Sequence, residues 1–326
     1  MIKWGIIGLG NMGTKFANSF FEQDSISIDG IASLSNLKKF GKKFEIKKDK
    51  QFKNYSDLLR SPNIDAVYIS TTNNTHFNLV NEAIDNNKKI LCEKPFVTNI
   101  NDAKFIYNRI SNKKNFFLEA IAYRSHPITD EILSIIESNE IGEIKEIHAS
   151  FGFEVKKIKK KSRLFNKILG GGCILDLGCY PISFAELFRK TDKKINFKKV
   201  SGSFSSTNVD DHAEIEYIIN DNVTVKAVVS FKKDLSNDCV IYGTKKKLRV
   251  ISPWLPEKKS IIEIIDGEDY YKRLVLSEHS IYANQLNIAS QYFNKKIDDR
   301  NLNLVTIEKS IEIFHILDFW INNIKD

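Results

Sequence analysis

Lys94 stands in ILCEKPF (residues 90–96), where an apolar run meets a Glu-Lys pair and stops at Pro95. Burial and nearby positive charge lower the pKa of such a lysine, and its three N–H donors can hold hydroxyl groups. A strand-end lysine that snorkels to water is the ordinary alternative. Pro95 weighs against it, because proline fixes the local backbone and does so in some turns through a cis peptide. A second reactive set lies in GGGCILDLGCYP (residues 170–181), where Asp176 and Tyr180 are four residues apart. If this segment is helical from about Asp176, the two side chains share one face. Oxidation of an alcohol requires that the hydroxyl proton leave with the hydride. A tyrosine whose pKa is pulled down by a neighbouring ammonium can take that proton near neutral pH. A buried tyrosine capping a helix is the bland reading of Tyr180 alone.

The third set is Gly8-Leu9-Gly10-Asn11-Met12-Gly13, between a strand-like run and a helical pattern. Gly8 permits a tight turn, Gly10 lets backbone amides approach a pyrophosphate, and Gly13 allows close helix–strand packing. The helix N-terminus adds free N–H groups and a positive dipole end. The second strand ends Ala32-Ser33-Leu34-Ser35, without the carboxylate that would grip a ribose 2′-hydroxyl. Ser33 and, one turn on, Lys38 suit a 2′-phosphate better, so NADP(H) is favoured over NAD(H). Gly8, Gly10, Asn11, Met12, Gly13, Ser33, Lys38, Thr71, Asn73, His76, Glu93 and Lys94 are the candidate cofactor contacts, with a capping or satisfied core residue as the equal alternative for His76 and an ordinary surface helix position for Lys38.

These residues need elements to position them. In the first third of the chain, short apolar runs (IKWGIIG, SIDGIAS, IDAVYIST, KKILCEK, NFFLEAI) alternate with helical patterns. That alternation implies a parallel sheet with helices on both faces and ligands outside its carboxyl ends. After about residue 123, ITDEILSIIESN reads as a helix. The alternating segments EIKEIHASFGFE, KKVSGSFSS, HAEIEYII, TVKAVVSFK, DCVIYGT and KLRVISP then read as a mostly antiparallel sheet. Helices around residues 280–295 and 304–323 close the chain. The fold class is therefore α/β. A doubly wound parallel Rossmann sheet spans residues 1–122, and a substrate and oligomerisation domain with a large open sheet spans 123–326. The C-terminal helix is left open to pack back on the first domain.

The glycine turn, TTNNTH (residues 71–76) and the EKP triplet together resemble the family of glucose-fructose oxidoreductase and inositol dehydrogenase. SRLFNKILGGGCILDLGCYP (residues 162–181), IGEIKEIHASFGF (141–153), VDDHAEI (209–215) and IYGT (241–244) are similar to its dimeric dihydrodiol dehydrogenase and NADP-dependent xylose dehydrogenase branch. The resemblance covers nearly the whole chain. It implies that Lys94 positions cofactor and substrate and tunes the acid/base. It also implies that Tyr180 stands where many relatives carry histidine, and that an arginine near residue 124 lies by the substrate. Tyr180 is thus the expected general acid/base, Lys94 its pKa-lowering partner and Asp176 a substrate hydrogen-bonding or orienting group. Tyr123, Arg124, His126 and Arg163 are candidate substrate contacts, each with a structural role as its alternative. Cys173 and Cys179 have no adjacent base and read as packing residues.

Composition bounds the rest. A 42% hydrophobic fraction over 326 residues fits a globular protein with a sizeable core. No apolar stretch reaches the roughly 18 residues of a membrane span, the N-terminus runs straight into a strand, and the four cysteines show no zinc-ligand spacing, so a cytoplasmic protein without metal is expected. The +8 charge is scattered lysine rather than clustered arginine, which argues against nucleic acid. The expected substrate is a sugar or cyclic polyol with its CH–OH group exposed to a nicotinamide. The alternatives are a reductase of a keto- or nucleotide-linked sugar, whose phosphate the KKIKKK run (residues 156–161) would meet, and a non-catalytic dinucleotide sensor. A wide sheet needs its outer face covered, so a homodimer or homotetramer is expected.

Overall fold

In the computed structural model, which describes residues 2–23, 25–190, 193–297 and 303–324, the chain forms two compact units. Met1–Ser125 with His279–Ile311 make the first, and His126–Glu278 with Glu312–Asp326 the second.

The first unit is built on a parallel sheet of β1 (Lys3–Ile7), β2 (Ser27–Ala32), β3 (Gln51–Phe52), β4 (Ala66–Ile69), β5 (Lys89–Glu93) and β6 (Phe117–Ala120), in the order β3-β2-β1-β4-β5-β6. Every residue of β4 and β6 is buried, as expected of strands covered on both faces. The helices are α1 (Asn11–Ser19), α2 (Leu37–Lys43), α3 (Tyr55–Arg60), α4 (Asn73–Asp85) and α5 (Ile100–Lys113). Strand order reverses direction between β1 and β4, so a ligand crevice opens at their carboxyl ends. The sequence division at residue 123 differs from the compact units by residues 123–125 and in one longer stretch. His279–Ile311 packs with the first unit because α8 (Ile281–Phe293) covers the aromatic core there. Trp4 of β1 is fully buried, meets Phe16 and Phe293 at 5.6 Å each, and donates Nε1–H to Ser290 Oγ at 3.0 Å.

The second unit carries an eight-stranded sheet in the order β14-β13-β12-β11-β7-β10-β9-β8. Its strands are β7 (Ile144–Gly152), β8 (Asn196–Phe204), β9 (Asp210–Ile219), β10 (Val223–Ser230), β11 (Asp238–Gly243), β12 (Lys247–Ile251), β13 (Lys259–Asp266) and β14 (Asp269–Leu276). β7 and β10 pair in parallel and the other neighbours antiparallel. The short β3 and the β13–β14 hairpin have no counterpart in the sequence reading. β14 is an edge strand with little burial, so its apolar pattern is weak. The unit's helices are α6 (Pro127–Glu137), α7 (Cys179–Ala185) and most of α9 (Ile307–Asn322). One expectation needs correcting. Lys167–Ala185 does reach the length and apolarity of a membrane span, but 78% of its apolar window is buried inside the protein. Its side chains serve the core rather than a lipid face.

Candidate active site

At the carboxyl edge of the parallel sheet, two of the three glycines of the turn have a structural cause. Gly8 has φ +92°, and a Cβ there would lie 2.6 Å from the Ser70 carbonyl oxygen. At Gly13 a Cβ would lie 2.2 Å from the Gly8 carbonyl, so only glycine lets α1 approach β1 this closely. Gly10 is exposed and has nothing within 4 Å of an added Cβ, so packing gives no reason for a glycine there. The turn is clamped from both sides. Gly8 N–H donates to Ala32 O at 3.0 Å, and the Ser70 hydroxyl donates to Gly8 O at 2.8 Å.

Helix starts differ around the sheet. α3 and α5 are capped by their own Asn54 and Asn99 side chains and carry aspartates in the first turn. α1 and α4, which follow the two strands at the switch point, have neither a side-chain cap nor a first-turn carboxylate. Helix starts without a side-chain cap or a first-turn negative charge suit an anion such as a pyrophosphate. Ser33 is buried, and its hydroxyl oxygen accepts Ser35 N–H at 3.2 Å, which leaves its proton to donate outward. Lys38 is exposed on α2, and no carboxylate occurs between residues 33 and 39. The residues present fit a nicotinamide dinucleotide.

Lys94 follows β5 directly and is half-buried, and the Lys94–Pro95 peptide is cis. The neighbours of this segment are fixed from several sides. Buried Glu93 accepts the Tyr68 hydroxyl, and Tyr68 stacks on Phe16 at 3.8 Å. Burial and the Glu93 charge push the Tyr68 phenol well up. His76, fully buried, lies with Nδ1 2.8 Å from Pro95 O and Nε2 3.3 Å from Thr71 O. Burial lowers its pKa, so the ring is neutral, and the shorter contact is the one in which Nδ1–H donates. His76 therefore ties the EKP segment to the TTNNTH turn. In that turn the Thr75 hydroxyl donates to Thr71 Oγ1 at 2.6 Å.

Two residues of this neighbourhood had no sequence signal. Tyr282 on α8 carries the Lys15 ammonium 5.6 Å from its ring centre, and burial with the Glu93 charge pushes its phenol up to about 12. Glu119 on β6 accepts Phe96 N–H at 3.1 Å. Tyr123 and Arg124 also belong to the first unit, in a short 3-10 turn. Both are buried, and Arg124 Nε–H donates to Asn303 O at 2.8 Å.

Asp176, Tyr180, Arg163 and His126 belong to the second unit. The triple glycine is structural at each end: Gly170 and Gly172 have φ +75° and +122°. A Cβ at Gly172 would sit 2.2 Å from Asp210 Oδ1, and Asp210 Oδ2 in turn accepts Ile174 N–H at 2.6 Å. Asp210 of β9 thus starts the helical segment. Its first turn is a π turn, Ile174–Gly178, which passes into α7 at Cys179. The expected α spacing of Asp176 and Tyr180 therefore does not hold from Asp176. Pro181 supplies the reason: it has no N–H for the Leu177 carbonyl, and its ring crowds that carbonyl. Asp176 is buried and accepts Arg163 Nη1–H at 2.8 Å. Tyr180 is half-buried, with Phe151 edge-on at 5.2 Å and Trp254 at 6.3 Å. His126 caps α6, its Nδ1 accepting Ile128 N–H at 3.1 Å, and burial lowers its pKa to about 4. The four cysteines are buried and form no disulfide. Burial raises the Cys173 thiol well above its usual range, the opposite of an activated nucleophile.

Comparison with known proteins agrees with this fold. Residues 2–120 match a family model described as an oxidoreductase family with an NAD-binding Rossmann fold, and residues 130–249 match the GFO/IDH/MocA C-terminal domain. The chain is 28% identical over 261 residues to trans-1,2-dihydrobenzene-1,2-diol dehydrogenase of Xenopus tropicalis, covering 78% of this chain and 77% of that one. It superposes on a 3-ketoreductase from Actinomadura kijaniata, crystallised with NADP and TDP-benzene, with a TM-score of 0.88 at 20% identity, over 100% and 98% of the two chains. An aldose-aldose oxidoreductase from Caulobacter crescentus gives 0.86 at 17% identity, over 98% and 96%. At these identities the solved structures establish the shared fold.

Proposed function

The chain belongs to the GFO/IDH/MocA oxidoreductase family, and on that premise we propose that it interconverts a CH–OH group and a carbonyl on a sugar or cyclic polyol, with Tyr180 as general acid/base. Bound NADP(H) supplies or accepts the hydride at that carbon. The protein's residues do the rest. Gly8, Gly10, Asn11, Met12 and Gly13 with the open starts of α1 and α4 hold the pyrophosphate, and Ser33 and Lys38 the adenosine ribose phosphate. Thr71, Asn73, His76, Glu93 and Lys94 line the nicotinamide end. In oxidation the Tyr180 phenolate takes the substrate hydroxyl proton, and in reduction it returns one. The Lys94 ammonium stabilises the phenolate and donates to the substrate oxygen. Asp176, oriented by Arg163, accepts a second substrate hydroxyl.

The observation that carries this reading is the Lys94 segment. A half-buried ammonium follows β5, one strand beyond β4 from the strand that leads into the glycine turn, and the backbone just after it is tied down by His76 and Glu119. The test is a fluorescence titration with NADPH and NADH, followed by a sugar and polyol panel read by reduced-nicotinamide absorbance. Binding of neither cofactor would end the account. Cofactor binding with no turnover on any member of the panel would favour a dinucleotide sensor, a role that has no use for Lys94 or Tyr180.

The cofactor preference has its own expected result. Ser33→Asp sets a carboxylate against the 2′-phosphate, so NADPH affinity should fall by about tenfold or more, roughly 1.4 kcal/mol, while NADH affinity holds. Equal losses for both cofactors would remove the case for NADP.

A reductase acting on a keto- or nucleotide-linked sugar is the second reading. It is favoured by a cavity of about 350 Å³ in the second unit, lined by Lys160, Asn166, Lys167, Ser206, Thr207 and Asn208 among others. Cations beside hydroxyl and amide donors suit a phosphate. Competition by UDP- and TDP-sugars against NADPH-dependent turnover separates the two readings, since only the second predicts it. We also infer self-association through the large sheet, whose edge strand β14 exposes Tyr270 (62%), Leu274 (58%) and Leu276 (63%). Light scattering should give a dimer or tetramer mass; a monomer at micromolar concentration would contradict it.

A further inference from the structure

Glu119 has no part in the nucleotide turn or in the proton transfer above, yet it lies fully inside the first unit behind Lys94. It sits on β6 opposite Cys92 of β5 and is 5% exposed. Its Oε1 accepts Phe96 N–H at 3.1 Å, two residues beyond Lys94. Its Oε2 has no partner in hydrogen-bond geometry among the described residues, and neither do Gln285 Oε1 on α8 and Ser310 Oγ on α9. The Ser310 hydroxyl is still near enough to favour the ionised carboxyl. A cavity of about 10 Å³ adjoins the group, lined by Glu119, Arg124, Ser125, Gln285 and Val305 among others. That is the room one water needs, and its wall is polar enough to hold one.

A buried carboxylate with a firm donor on one oxygen only is poorly solvated as an anion. Among the described residues, these ionisable side chains lie around Glu119. Glu93 and Lys94 stand at the end of β5, Arg124 in the cavity wall, and the Cys92 thiol across the strand pair. Glu93 disfavours a second negative charge and Lys94 favours it; burial outweighs both, and the Glu119 carboxyl rises to about 7.

We propose that Glu119 is a positioning residue for Lys94: neutral or ionised, it holds the Phe96 amide, and when it loses its proton it places a negative charge behind the ammonium. That charge weakens the pull of Lys94 on the Tyr180 phenol and on an anionic cofactor. The link to turnover rests on the Lys94–Tyr180 reading above. The titration of Glu119 does not.

The sign follows from the charge. As pH rises through neutrality the new anion disfavours the phenolate, so the Tyr180 pKa seen in wild-type oxidation is higher than it would be beside a neutral residue. Glu119→Gln keeps an oxygen acceptor for Phe96 N–H and removes the charge. The first measurement follows the Phe96 amide through neutral pH in protein labelled with 15N-phenylalanine, the signal being assigned with Phe96→Leu. One transition near pH 7 is expected in the wild type, and none in Glu119→Gln. The second measurement is NADPH affinity, which should weaken by about two- to fivefold across the same transition in the wild type and stay level in Glu119→Gln. The third is the acid limb of kcat for oxidation, which should move down by roughly half a pH unit or more in the variant, with substrate KM little changed. A Phe96 amide that stays still in the wild type overturns the proposal even if the variant does not fold. A titrating amide with pH-independent NADPH affinity overturns the link to Lys94. Absence of turnover with both of those transitions intact counts against the sugar-oxidoreductase reading and leaves the Glu119 device standing.

Discussion

Tyr180→Phe is expected to lower kcat by roughly 10²- to 10⁴-fold, the range a positioned general acid/base supplies, and to leave NADPH affinity within about twofold. The substitution keeps the ring that meets Phe151 edge-on at 5.2 Å and packs beside Trp254, so the second unit should retain its melting temperature. Only the proton-carrying oxygen is lost. The signature is a kcat effect without a matching change in cofactor binding, and the alkaline rise of wild-type oxidation should vanish with it. Turnover unchanged within about threefold would remove Tyr180 from the chemistry.

Lys94→Ala should damage more than one parameter, because the ammonium is asked to do two things. It stabilises the phenolate and it holds cofactor and substrate oxygens. Loss of kcat/KM by about 10³-fold or more is expected, together with an NADPH affinity about tenfold weaker. Lys94→Arg should not restore turnover, since a planar guanidinium cannot reproduce a compact ammonium at the same point. The variant also carries a check independent of turnover. Lys94 favours the ionised form of Glu119, so removing it should move the Phe96 amide transition to higher pH. A transition that stays in place would mean the two groups do not sense each other.

Local patterns were legible where their causes are local. The glycine turn reads from sequence because Gly8 and Gly13 answer to neighbours a few residues away or to the adjacent strand. Lys94 reads because an apolar run and a proline bracket it. The Asp176–Tyr180 spacing was misjudged for a local reason that was visible in principle: Pro181 stands four residues after Leu177 and opens the π turn. Glu119, Tyr68 and Tyr282 were not legible. Each reaches the Lys94 segment across β-strand register or from α8, and nothing in their own surroundings marks them. The His279–Ile311 stretch was missed similarly, since its place depends on the Trp4 and Phe16 core at the opposite end of the chain. His126 and Arg124 illustrate the converse. Their place after the strand leading out of the cofactor domain and, for Arg124, the family resemblance point to substrate contacts; the structure adds a local role for each, His126 capping a helix and Arg124 donating to a backbone carbonyl.

The decisive measurement is a crystal structure with NADPH and a polyol bound. The account predicts Lys94 Nζ and Tyr180 Oη both within roughly 2.6–3.2 Å of the one ligand oxygen whose carbon faces nicotinamide C4. If either side chain points elsewhere, or the oxygen at that carbon is held by other groups, the proposed chemistry is contradicted, whichever cofactor the glycine turn carries.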